Sequence, residues 1–170
     1  VLKSPGHLWC PETVLQAYPD ACLIQTHRDP LRILSSLSSL ESVLRKMSSD
    51  AIIPAEIASE WSEWLALSYD RSVDFREKAN LPDSRVADLQ FREFIADPIS
   101  AIRQIYDRFG LELLPETETQ MSEYLRANPS DRDGAHQHSL DQTDLNIEAE
   151  RAKVKRYQEY FDVPPEVSAP

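Results

Sequence analysis

Apolar positions along this chain alternate between short runs and a spacing of three to four residues, and the alternation marks out its elements. Val1-Leu2 predicts the end of a strand, and residues 5–19, PGHLWCPETVLQAYP, predict a turn plus a short helix closing before Pro19. Cys22-Leu23-Ile24 is brief and apolar, so residues 22–26 predict a strand. Asp29 is a good N-cap and Pro30 suits the first helical position, which opens a helix over about 30–47. Its expected apolar stripe is Ile33, Leu37, Leu40, Leu44 and Met47, with Ser36 on the flank and Arg32 and Ser39 on that same side. Ile57, Trp61, Trp64, Leu65 and Tyr69 recur at helical spacing and predict a second long helix from Pro54 to about Lys78.

The second half repeats the alternation once. SRVADLQF is strand-like, and the helix after it starts at Asp97-Pro98 and stops at Gly110. PETETQMSEYLRANP predicts a helix ending before Pro129, and a polar loop precedes a charged last helix over about 146–161. Strands alternating with helices indicate α/β with a parallel sheet. Only helices follow the last strand, so the expectation is a small, incomplete sheet flanked by helices and a helix-rich C-terminal half.

Composition narrows the class. At 170 residues the chain is expected to be a single domain, 1–170, and 41% hydrophobic residues are enough for one core. No apolar run approaches the roughly 20 residues of a membrane span, and no signal segment opens the chain, so a soluble, cytoplasmic protein is expected. A net charge of −11 argues against a general nucleic-acid surface while leaving room for a local basic pocket. Cys10 and Cys22 lack metal-ligand spacing and are expected to be reduced, partly buried thiols. The chain begins at Val1 on a segment that reads as a strand already under way, and it has neither GxxxxGK[ST] nor GxGxxG. The expectation is therefore the latter part of a longer protein.

Arg28 and Ser36 carry the sharpest chemistry. A guanidinium presents a planar fork of donors suited to phosphate, and a hydroxyl adds one more bond. Strand-to-helix junctions in α/β folds are where anions are held. On spacing alone a second reading stays open, an arginine paired with a surface carboxylate beside serines chosen for small size.

LKSPGHL, YPDACLIQTHRDPLRILSSLSSL and FREFIADPISAIRQIYDRFGLEL together resemble the sulfotransferases that use 3′-phosphoadenosine-5′-phosphosulfate (PAPS), their bacterial branch above all. The resemblance runs over nearly the whole chain. It implies a P-loop NTPase-like α/β fold, of which this chain would be the C-terminal part lacking the 5′-phosphosulfate loop, and a chain inactive on its own. It also implies transfer of a sulfuryl group to a hydroxyl or amine of a small molecule, carbohydrate or lipid, with release of adenosine 3′,5′-bisphosphate. In that family an arginine ending a strand and a serine eight residues on bind the 3′-phosphate, which matches the separation of Arg28 and Ser36. Lys3 resembles the cation that steadies the transferring group, and His7 the base that takes the acceptor's proton. The chemistry asks for both: positive charge at the leaving oxygen, and a base that titrates near neutrality, the property of imidazole. Arg132 and Gly134 in DRDGAH resemble a late basic loop that closes over the nucleotide, with His136 beside it.

Other features point to plainer roles. Phe91 stands where relatives often carry an aromatic hydroxyl. The Trp61, Trp64, Tyr69 stripe reads as core, with an acceptor-pocket lining as the alternative, and His27 reads as structural. His136 and His138 lack convincing metal-ligand partners, and the family's chemistry needs no metal. Two other functions remain open from the residues: another nucleotide-dependent P-loop transferase such as a small-molecule kinase, and a non-catalytic α/β binding module.

Overall fold

The computed structural model describes residues 1–129, 140 and 143–167. A 3-10 turn at Pro5–Trp9 leads into α1 (Pro11–Ala17), β1 (Leu23–His27), α2 (Pro30–Lys46) and α3 (Pro54–Lys78). Then come β2 (Val86–Gln90), α4 (Phe91–Ala96), α5 (Pro98–Arg108), α6 (Pro115–Ala127) and α7 (Ile147–Tyr160). The fold is mixed α/β and rich in helix, as the alternation of elements indicated. The described residues form two compact units, one from 1–19, 28–80 and the part beyond residue 140, the other from 20–27 and 81–129.

The first unit is helical. Leu31 and Leu34 of α2, Tyr69 and Val73 of α3, and Val154 and Tyr157 of α7 build its core with Phe161 and Val163. Each helix contributes residues three or four apart, so one face of each is turned inward. Tyr157 lies between Tyr69 and Phe161, with ring centroids 4.1 Å and 5.1 Å away. The second unit carries the sheet, in which β1 and β2 pair in parallel from Leu23 opposite Val86 to His27 opposite Gln90. A parallel pair needs a long crossover, and here residues 28–85 provide it. Arg85 binds the Ala21 carbonyl through Nε at 3.2 Å and Nη2 at 2.7 Å, and Arg108 Nη1 donates to the Val86 carbonyl at 2.8 Å.

The caps read from sequence hold. The Asp29 carboxylate accepts from the Leu31 N–H at 3.0 Å and the Asp97 carboxylate from the Ser100 N–H at 3.0 Å. Gly110 takes φ +65°, the left-handed conformation that ends α5.

Three expectations are corrected and one element is added. Val1 and Leu2 are exposed and belong to no strand, since neither joins the β1–β2 ladder. Cys10 and Cys22 are free as expected but exposed. α4 was hidden in the sequence because FREFIA, at six residues, is too short to declare a period. The largest correction concerns α2. Its buried face is Leu31, Leu34, Ser35 and Ser38, while Leu40, Leu44 and Met47 of the expected stripe are exposed, Met47 by 82%. α2 packs on α3, whose buried side likewise includes the small residues Ala58 and Ser62. Small side chains on facing helices are compatible with close packing.

Candidate active site

β1 ends at His27, and the chain turns through Arg28 and Asp29 into α2. His27 is buried, and its Nε2 lies 2.9 Å from Oδ1 of Asp88 on the neighbouring strand, which gives it the structural role read from sequence. Arg28 follows directly. Its Nε donates to both carboxylate oxygens of Glu166 at 3.1 Å and 3.2 Å, and its Nη2 donates to Oε2 at 3.0 Å. This is the bidentate geometry by which a guanidinium grips a planar anion. Both side chains keep about a quarter of their surface, 29% for Arg28 and 26% for Glu166.

Asp29 anchors the junction. It is fully buried, and beyond capping α2 it receives Arg151 Nη2 at 3.1 Å and the N–H groups of Glu166 and Val167 at 2.6 Å and 2.9 Å. Arg151 also donates from Nη1 to Asp29 Oδ1 and from Nη2 to the Val167 carbonyl at 2.6 Å. Burial pushes the Asp29 carboxyl up, but Arg151 and the backbone donors outweigh it and hold its pKa below the ordinary carboxylate value. One carboxylate therefore starts the helix, fixes the residue after Arg28, and ties down the segment beyond α7. The partners at 151, 166 and 167 lie more than 120 residues away in sequence, and no local pattern announces them.

Ser36 is the seventh residue of α2, exposed and about two turns from the helix start. Lys3 is exposed just before the 3-10 turn, and His7, half-buried, lies inside it. That turn is held locally: the Ser4 hydroxyl accepts from the Gly6 N–H at 3.2 Å, and the His7 N–H reaches the Ser4 carbonyl at 3.2 Å. Trp9 at its end stacks on Trp64 of α3, centroids 4.7 Å apart and planes 6° from parallel. Of the expected aromatic stripe, Tyr69 is core, Trp61 packs on the core, and Trp64 is 43% exposed. Lys3, His7, Arg28 and Ser36 all belong to the first unit. Arg132, Gly134, His136 and His138 lie outside the described residues. Among the described residues no group of histidine, cysteine and carboxylate side chains could hold a metal.

A second polar cluster joins α3 to α7. Ser62 donates to Glu150, and Lys153 Nζ reaches Ser62 Oγ at 2.8 Å, Glu63 at 2.7 Å and Glu150 at 2.9 Å. A serine beside a lysine invites comparison with a nucleophile and its base. Burial lowers the Lys153 pKa, but Glu63 and Glu150 overcome that and raise it above the ordinary value. An ammonium held charged donates and cannot take a proton, so this cluster fastens two helices.

Comparison with known proteins brings the geometry into a lineage. The model of a family described as the sulfotransferase family matches residues 1–116. The crystal structure of sulfotransferase STF9 from Mycobacterium avium superposes with a TM-score of 0.86 at 29% identity, covering 98% of this chain and 43% of that one. Sulfotransferase STF1 from Mycobacterium tuberculosis H37Rv superposes with a TM-score of 0.75 at 27% identity, covering 91% of this chain and 38% of that one. The chain thus spans less than half the length of either solved relative. No curated protein sequence matches it.

Proposed function

Because this chain belongs to the sulfotransferase family, we propose that the protein carrying it moves a sulfuryl group from PAPS to a hydroxyl or amine on a small molecule, carbohydrate or lipid. In this reading residues 1–170 are part of one sulfotransferase domain. When bound, PAPS supplies an activated sulfuryl group on a phosphate leaving group. Arg28 and Ser36 hold its 3′-phosphate, Arg28 with its fork and Ser36 with its hydroxyl. The ammonium of Lys3 meets negative charge growing on the bridging oxygen, and His7 takes the proton that the acceptor loses. Arg132, two residues before Gly134 in the sequence, adds a further cation toward the nucleotide.

One observation carries this reading. Arg28 stands at a strand-to-helix junction and presents its Nε and Nη2 donors to an anion, here the carboxylate of Glu166, the kind of pairing that the second reading of this arginine anticipated. The donor set fits a phosphate oxygen pair by the same geometry.

The test is Arg28→Ala in the whole protein, assayed with nucleotides that have and lack the 3′-phosphate. Loss of a charge-assisted bidentate contact should weaken only the 3′-phosphorylated nucleotide, by about 2–4 kcal/mol or roughly 30- to 1,000-fold. Equal weakening of both nucleotides would mean that Arg28 supports the fold and not the phosphate.

A further inference from the structure

The Arg28 fork holds Glu166, and the contact is built into the chain rather than left to a mobile surface side chain. The N–H groups of Glu166 and Val167 are fixed on Asp29, the neighbour of Arg28, and the Val167 carbonyl is fixed on Arg151. Three backbone bonds therefore set where the Glu166 side chain begins. The carboxylate itself is partly exposed and rests on Arg28 through side-chain bonds, so it can rotate into water while the backbone stays latched.

We propose that Glu166 is an internal placeholder for the 3′-phosphate: it occupies the fork of Arg28 in the free protein and must swing away when the nucleotide binds. The proposal rests on the reading of Arg28 as the phosphate ligand. A carboxylate and a phosphate dianion repel each other, and the Nε–Nη2 edge that Glu166 occupies cannot hold both at once. A phosphate attached to a nucleotide brings the rest of that ligand's contacts, which displace the carboxylate. An inorganic phosphate must displace the same carboxylate. Glu166 thus lowers the affinity of every anion that takes this fork by a common factor and leaves a nucleotide without a 3′-phosphate unaffected, a role distinct from catalysis.

Titration calorimetry on wild type, Glu166→Ala, Glu166→Gln, Arg28→Ala and Arg28→Lys tests this, with adenosine 3′,5′-bisphosphate, adenosine 5′-monophosphate and inorganic phosphate as probes. Glu166→Ala should bind the bisphosphate and inorganic phosphate about three- to tenfold more tightly and leave the monophosphate unchanged. Its melting temperature should stay close to wild type, because the backbone latch on Asp29 is untouched. Glu166→Gln keeps the shape and loses the charge, so it should shift the same affinities in the same direction by less, and it serves if the alanine variant folds poorly. Unchanged or weaker bisphosphate binding in both Glu166 variants overturns the placeholder. The Arg28 variants separate the two levels. If they lose the advantage of bisphosphate over monophosphate while the Glu166 variants gain nothing, the phosphate reading stands and the placeholder falls. If they keep that advantage, both fall.

Discussion

The two ends of the candidate site differ in burial and in the groups that hold them. At the Arg28–Asp29 junction a fully buried carboxylate collects donors from α2, α7 and the segment beyond it. At the Lys3–His7 end no residue of the 3-10 turn is buried, and the bonds within it span two or three residues. The difference separates two tasks. Recognition of a fixed anion benefits from a fork that is positioned before the ligand arrives, because ordering it beforehand removes that cost from binding. The groups proposed for proton transfer and charge stabilisation sit on a more exposed turn, held by local bonds and by Leu8 and Trp9 against the helical unit.

Breaking the anchored end should have the largest effect. Asp29→Ala leaves Arg151 without its buried partner and removes a helix cap, and should cost about 3–5 kcal/mol of stability, read by denaturant melts. The sign of the accompanying pH dependence follows from the lowered Asp29 pKa. A carboxylate depressed in the folded state stabilises it above the unfolded value of about 3.9, and that contribution is lost as pH falls through the lower folded value. Asp29→Asn should flatten this part of the acid limb. A wild-type stability that does not fall there, or a limb unchanged in the variant, would remove Asp29 from its place as the anchor.

The open end should respond in rate and not in stability. His7→Ala in the whole protein is expected to lower kcat/KM by roughly 100- to 10,000-fold, the range for a lost general base. The melting temperature should stay nearly constant. A small loss of rate would move the base elsewhere and leave His7 as a turn residue. The smallest effect belongs to Ser36→Ala, where one hydrogen bond to the 3′-phosphate should be worth about 1 kcal/mol, or roughly fivefold in nucleotide affinity. An unchanged affinity would leave Arg28 as the phosphate ligand without that hydroxyl.

The exposed stripe of α2 shows where sequence reading stops. Leu40, Leu44 and Met47 have the spacing of a buried face, and Ser35 and Ser38 have the polarity of an outer one. Their exchange of roles depends on which face of α2 its neighbours cover, which a single helix cannot encode. The Trp61, Trp64, Tyr69 stripe divides for a related reason: helical spacing puts them on one side of α3, but Trp64 finds Trp9 as its partner instead of the core.

What the sequence determined by itself is local in origin. Asp29-Pro30, Asp97-Pro98 and Gly110 set helix ends because capping and a positive φ depend on a few adjacent residues. The limits of α3, Pro54–Lys78, were legible from Pro54 at its start and the helical spacing of Ile57, Trp61, Trp64, Leu65 and Tyr69. The separation of Arg28 and Ser36, and the family it resembles, were also readable along the chain. Tertiary structure alone decided the parallel register of β1 on β2, the inward face of α2, and the closure of residues 151, 166 and 167 on Asp29. Each of these depends on groups far apart in sequence meeting at hydrogen-bond or van der Waals distance. Spacing along the chain carries no measure of that distance.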